Sequence, residues 1–291
     1  MSETYLGAGS AAIRHHYDVG NDFWRIWLDS TMSYSCAMWG DPDDDLERAQ
    51  RRKLDFHVDQ ACAAGAARVL DVGCGWGAML MHLVGSYGVK HAVGLTLSEA
   101  QAEYLRAIAP DNVEVWVRNW TDYEPTEPFD AIISVGAFEH FARQGLSPEE
   151  QIEAYRRFFS SCRNWLKPGG RLSLQTIAYG DIPRDRQLRD RFIVDDVFPE
   201  SELPRLADIA RAAEMELEIE KVRNDRDDYV KTLRAWFDRL RAQRAAAVAV
   251  SSEEVVARCE RYLRTFAYSF ELGAFTLLRL TMRRIDLPGR W

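Results

Sequence analysis

The chain has 291 residues, 47% hydrophobic and 28% charged, which are ordinary values for a folded protein and enough apolar surface to bury a sizeable core. Length alone fits one large domain or a core carrying an elaborate cap. Its 37 Lys and Arg against 45 Asp and Glu leave a net charge of −8, which argues against a general nucleic-acid binder because phosphate-binding surfaces are basic.

Residues 1–66 read as a helical cap, with Asp22 a candidate N-cap before Phe23-Trp24-Arg25-Ile26-Trp27-Leu28 and Asp43 to Asp45 preceding a second helical segment that ends near Gly65. The core begins at residue 67. Apolar runs at 68–72, 92–95, 113–117, 131–135 and 171–177 are expected to be strands covered on both faces. Helical patterns fit between them at 78–85, 98–108 and 148–166, the last stopped by Lys167-Pro168-Gly169-Gly170. Strand and helix therefore alternate, the pattern of a parallel sheet wrapped by helices. A lid insertion is expected over about 180–204, followed by helical patterns at 205–213, 228–244 and 253–270. The C-terminal helices thus fill about 225–271, with the Ala-rich 244–251 read as a helix-to-helix connection. Strands at 215–222 and 275–283 close the sheet.

The five cysteines, Cys36, Cys62, Cys74, Cys162 and Cys259, include no C-x-x-C pair, so neither a disulfide scaffold nor a structural zinc site is indicated. The amino terminus has no apolar signal-peptide core, and no apolar run approaches the roughly 18 residues of a membrane span. A cytoplasmic protein is expected, and a homo-oligomer is left open.

Asp71-Val72-Gly73-Cys74-Gly75-Trp76-Gly77 is a strand running into a glycine loop that opens a helix, the arrangement that lets a cofactor lie on the main chain. With Ala78 the loop also satisfies the G-x-G-x-x-A pattern, which by itself does not choose between nicotinamide and S-adenosylmethionine. A nicotinamide site expects an acid at the end of the second strand, yet Val93-Gly94-Leu95-Thr96-Leu97-Ser98 offers none, and Glu99 already lies in the next helix.

His16-Tyr17-Asp18-Val19-Gly20-Asn21-Asp22-Phe23, Thr31-Met32-Ser33-Tyr34-Ser35-Cys36, the glycine loop, Gly94-Leu95-Thr96-Leu97-Ser98 and Gly136-Ala137-Phe138-Glu139-His140-Phe141 together resemble the cyclopropane fatty acid synthase family. These S-adenosylmethionine-dependent enzymes include the mycolic acid cyclopropane synthases, and the resemblance runs in order along nearly the whole chain. It implies an α/β class I methyltransferase fold: a seven-stranded, mostly parallel sheet with helices on both faces and the last strand antiparallel. Carried over motif by motif, it implies cofactor contacts at Tyr34 and Ser35 from the cap, at Asp71 and Val135, and at Gly73 and Gly75 under the methionine part. Thr96, Leu97 and Gln101 would lie around the ribose and Trp120 beside the adenine, where a core aromatic is the alternative reading.

In the family so resembled, the acceptor is commonly an alkene, whose methylation leaves a carbocation that aromatic faces can stabilise. A bicarbonate base is held there by a cysteine, a main-chain group, a glutamate, a tyrosine and a histidine. The matching positions are Cys36, the Val135 main chain, Glu139 and Tyr229, but the histidine position reads Gln175 in Gln175-Thr176-Ile177. Glutamine carries no charge, so bicarbonate is expected to be held less strongly and Glu139 becomes the candidate base or cation stabiliser. The alternatives are a capping role for Glu139, a packing role for Cys36 and a structural one for His140.

The resemblance implies a C-methyltransferase acting on an alkene carbon of a lipid, prenyl or secondary-metabolite acceptor. A cyclopropane synthase and a small-molecule N-methyltransferase, with Glu139 and His140 near the amine, are the alternatives, and a noncatalytic cofactor binder a further one. Arg184, Arg186, Arg189 and Arg191, interleaved with Asp181, Asp185, Asp190, Asp195 and Asp196, read either as a solvated helical face or as a clamp for an anionic head group. Asp225, Asp227 and Asp228 read as a polar loop before a helix in preference to a magnesium site.

Overall fold

The structure, a computed structural model, describes residues 6–7, 19–181, 183 and 200–286. Seven strands form one sheet: β1 (Arg68–Val72), β2 (His91–Thr96), β3 (Val113–Val117), β4 (Phe129–Val135), β5 (Leu166–Tyr179), β6 (Leu217–Asn224) and β7 (Phe275–Arg284), in the order β3-β2-β1-β4-β5-β7-β6. β1 through β5 are parallel, and β7 lies antiparallel between β5 and β6. Because β1 pairs with β2 on one side and β4 on the other, the connections leave it in opposite directions. That opens a crevice beyond the carboxyl ends of β1 and β4, where ligands of such sheets bind.

Helices α1 (Asn21–Trp27), α2 (Leu46–Gln60), α3 (Ala78–Ser86), α4 (Glu99–Ile108), α5 (Pro148–Trp165) and α6 (Leu206–Ala213) are followed by α7 (Arg226–Ala242), α8 (Arg244–Val250) and α9 (Glu253–Glu271). Asp45 caps α2 by accepting the Arg48 N–H, and Ser147 with Glu150 forms a capping box on α5 behind Pro148 at its first position. One face of the sheet packs against α5 and α6 through residues such as Ile132, Phe158 and Ile209, the other against α2 to α4 through Leu54, Val58, Leu80 and Leu105. α2 therefore shares a core with β1 and β2. α1, α7 and α9 enclose a third cluster, rich in aromatics, over the ends of the strands.

The structure departs from the expected elements where tertiary contacts override local signals. Asp22 does not cap α1; it sits in the first turn, paired with Arg25 at 3.0 Å, while Gly20 at φ 101° occupies the cap. Lys167-Pro168-Gly169-Gly170 does not separate helix from strand, because β5 already begins at Leu166, paired with Phe129, and the glycines absorb the irregularity before regular pairing resumes at Ala131 with Arg171. A Cβ on Gly170 would come within 3.0 Å of the Asp130 carbonyl. The 113–117 strand is not covered on both faces: β3 is a sheet edge with Trp116 40% exposed. Residues 244–250 form a helix of their own, α8, consistent with alanine's high helix propensity. Among the described residues no helix is long and apolar enough to cross a membrane. The motif residues His16 to Asp18 and the arginines at 184–191 lie outside the described residues.

Candidate active site

The crevice is built on the glycine loop. Gly73 has φ +86° and Gly75 φ +53°, conformations that side-chain residues avoid, and a Cβ on Gly73 would lie 2.4 Å from the Ala137 Cβ. The N–H groups of Gly73 and Cys74 both donate to the Leu95 carbonyl at 2.9 Å, which ties the loop to the end of β2. Two adjoining cavities open on either side of Gly73, Gly75, Gln101 and Gly136.

The first cavity brings together Thr96, Leu97, Gln101, Trp120 and His140. Thr96 Oγ1 donates to Gln101 Oε1 at 2.9 Å, which leaves the Gln101 amide NH₂ as a donor for whatever enters. Trp120 is 6% exposed and packs on Phe141 and Phe158, so it is a core aromatic and a cavity wall at once. Its buried indole N–H has no protein partner among the described residues. His140 is tied by Nδ1 to Ser201 Oγ at 2.7 Å, and burial pushes its pKa down to about 4, so it is neutral at pH 7.

The second cavity is walled by Tyr34, Ser35, Lys53, Asp71 and Val135. Burial pushes the Asp71 carboxyl up to about 7 against the opposing charge of Lys53. Burial likewise pushes Lys53 down to about 8, with Asp29 acting in the opposite direction. Sequence reasoning missed Lys53 and His57. Their signal is present: Gln50, Lys53 and His57 fall at i, i+3 and i+7 on α2, so three polar residues share the face that must meet the sheet. Gln50 Nε2 donates to the Ser35 carbonyl at 2.9 Å and Lys53 Nζ to Ser35 Oγ at 3.0 Å.

Beyond Val135 lies a third group of buried polar side chains. Gln175 on β5 pairs in register with Arg279 on β7, and both reach Cys36. Arg279, 1% exposed, donates Nε to Gln175 Oε1 at 2.8 Å and Nη2 to the carbonyls of Ala37 and Cys36 at 3.0 and 3.3 Å, and forms an ion pair with Asp225. The positive charge that residue 175 lacks therefore stands beside it, on a strand where the apolar surroundings Leu277-Leu278 and Leu280 gave the only hint. Because Gln175 Oε1 accepts from Arg279, His57 Nε2 at 3.3 Å must be the protonated nitrogen, and His57 Nδ1 accepts from Ser173 Oγ at 2.8 Å. The Gln175 NH₂ then faces the Cys36 carbonyl at 3.4 Å. Burial pushes the Cys36 thiol up to about 12, so it stays protonated.

Glu139, in the short 3₁₀ turn Phe138–His140, caps no helix. Its Oε1 accepts the N–H of Ile177, two residues beyond Gln175, at 2.9 Å, and its buried Oε2 has no hydrogen-bond partner among the described residues. Burial, opposed by that N–H, pushes Glu139 up to about 7. Ile177 and Tyr229 belong to the aromatic cluster, in which Trp24, Trp27, Tyr34 and Trp236 pack with ring centroids 4.6 to 5.8 Å apart. Tyr34 joins this cluster to the second cavity. Asp225 is taken by Arg279 and Arg223, and Asp228 accepts the Trp39 N–H at 3.1 Å. Among the described residues no cluster of His, Cys, Asp or Glu could hold a metal.

Residues 7–280 match the sequence profile described as mycolic acid cyclopropane synthetase. Cyclopropane mycolic acid synthase 2 of Mycobacterium bovis is 34% identical over 279 residues, covering 90% of this chain and 91% of that protein. Hydroxymycolate synthase MmaA4 of Mycobacterium tuberculosis is 34% identical over 274 residues, covering 89% and 87%. Among solved structures, mycolic acid cyclopropane synthase CmaA1 complexed with SAH and CTAB superposes with a TM-score of 0.86 at 33% identity, over 97% of this chain and 100% of that one.

Proposed function

This chain belongs to the mycolic acid cyclopropane synthetase family and is an S-adenosylmethionine-dependent methyltransferase, and on that premise we propose that it methylates an alkene carbon of a lipid, prenyl or secondary-metabolite acceptor. Three features suit the cofactor: the approach of Gly73 to Ala137, the Gln101 NH₂ and the Trp120 indole N–H, which has no partner among the described residues. Tyr34, Ser35, Asp71, Gly73 and Gly75 would hold the methionine part, Thr96, Leu97 and Gln101 the ribose, and Trp120 the adenine. Calorimetry should find S-adenosylhomocysteine bound more weakly to Gln101→Ala by about 1 to 2 kcal/mol. Unchanged affinity removes Gln101 from the site.

When bound, S-adenosylmethionine supplies an electrophilic methyl sulfonium. The chain itself must align the acceptor, exclude water and dispose of a proton. An alkene carbon that gains a methyl group leaves positive charge on its neighbour, and the faces of Tyr34 and Trp76, which line the second cavity, can stabilise that charge without capturing it. The observation that carries the reading is Glu139 Oε2, which has no hydrogen-bond partner among the described residues: a buried carboxylate with a pKa pushed up to about 7 can take a proton from the adjacent carbon, and the C–H electron pair restores a double bond.

Ring closure is the second reading, favoured by Arg279. Its charge beside Cys36 and Gln175 would help retain a small anionic base such as bicarbonate, although the ion pair with Asp225 offsets it. Mass spectrometry of product made from methyl-deuterated S-adenosylmethionine separates the two. An intact CD₃ is expected; a retained CD₂ means ring closure or methylene formation and overturns the reading in which Glu139 deprotonates the adjacent carbon.

A further inference from the structure

The second cavity contains two buried side chains of opposite charge that do not bond each other. Lys53 and Asp71 are each 3% exposed. Among the described residues Lys53 Nζ has one hydrogen bond, to Ser35 Oγ at 3.0 Å, and the Asp71 carboxylate accepts none. Asp29, the other acid near Lys53, is spent on Thr31 and on the Ser33 N–H at 2.9 Å. An ammonium in such a place has two N–H donors left over, and a buried charge left so incompletely bonded costs several kcal/mol. A zwitterion entering beside Gly73 would satisfy both groups at once. We propose that Lys53, positioned by α2 against Ser35, is a specificity-determining residue that takes the α-carboxylate of the bound cofactor and so selects it over analogues lacking that group. The inference rests on the S-adenosylmethionine reading and extends it to an α2 residue outside the glycine loop.

Gln50, one turn before Lys53, bonds the carbonyl of Ser35, so the helix is clamped to the segment that also carries Tyr34. A carboxylate on Lys53 would therefore be held between α2 and that segment, with the amino group left toward Asp71.

The test is calorimetry with S-adenosylhomocysteine, its decarboxylated analogue S-adenosyl-3-thiopropylamine, and 5′-methylthioadenosine. Wild-type protein should bind S-adenosylhomocysteine about 10- to 100-fold more tightly than the decarboxylated analogue, the range of a buried charge-assisted hydrogen bond. Lys53→Met should lose that factor for S-adenosylhomocysteine and leave 5′-methylthioadenosine within about threefold. Equal weakening of all three ligands, or no discrimination by the wild type, overturns the role of Lys53. Failure of the wild type to bind S-adenosylhomocysteine at all overturns the cofactor reading with it. Should Lys53→Met not fold, Lys53→Gln takes its place: it should lose the discrimination between S-adenosylhomocysteine and the decarboxylated analogue, and a Lys53→Gln protein that keeps it overturns the role of Lys53.

Discussion

Glu139→Gln leaves cofactor affinity intact and lowers turnover by about 10² or more, the loss expected when a general base or a charge-stabilising group is removed. The variant keeps the shape of the carboxylate and one acceptor oxygen for the Ile177 N–H, so the 3₁₀ turn has no reason to move. What it loses is the ability to accept a proton at Oε2. Steady-state rates with unaltered S-adenosylhomocysteine binding check this, and a variant as active as wild type sinks the assignment. The same substitution has a signature in stability. Burial raises Glu139 from its ordinary 4.5 to about 7, so the folded state binds the proton more tightly than the unfolded one. Its favourable contribution is then fully present below pH 4.5 and is lost as pH climbs through 7. Urea midpoints of the wild type should fall across that window relative to those of Glu139→Gln, which has nothing there to titrate.

Arg279→Met destabilises the fold by about 3 to 5 kcal/mol, because removing one partner of a buried pair leaves the other charge uncompensated. Arg279 is also the donor for Gln175 Oε1 and for the carbonyls of Cys36 and Ala37, so the cap segment, β5 and the start of α7 lose their common anchor. Denaturant unfolding checks the magnitude. Removing Asp225 as well, in Arg279→Met/Asp225→Leu, should recover part of the loss, whereas additive losses would contradict the pairing. Acidification gives an independent sign. Burial acts to raise Asp225, but Arg223 and Arg279 outweigh it and hold the carboxyl below its ordinary range. Its contribution is therefore present above the ordinary carboxyl pKa and lost as pH falls through the lowered one, a dependence that should shrink in Arg279→Met.

The glycine loop, the strand order around it and the Gly136 to Phe141 motif are legible in the sequence because they answer to local demands. Gly73 must be glycine for its own backbone angle and for the approach of Ala137, and alternating strand and helix periods already imply a parallel sheet with its crevice beyond β1 and β4. Gln175 is legible as a departure from a family pattern, but its meaning is not, since the compensating charge lies 104 positions further on in β7. Lys53, His57 and Arg279 each look like surface residues when read singly. A helix spacing or an apolar strand hints that they face inward, yet neither says what they meet. Fold class, the glycine loop and the place of Glu139 in its motif can be read along the chain, because all three depend on neighbouring residues and backbone geometry. Which charges are buried together, the place of Arg279 beside Gln175 and the Glu139 oxygen left without a partner among the described residues emerge only on folding, because the desolvation that makes those groups consequential exists only once distant segments close over them.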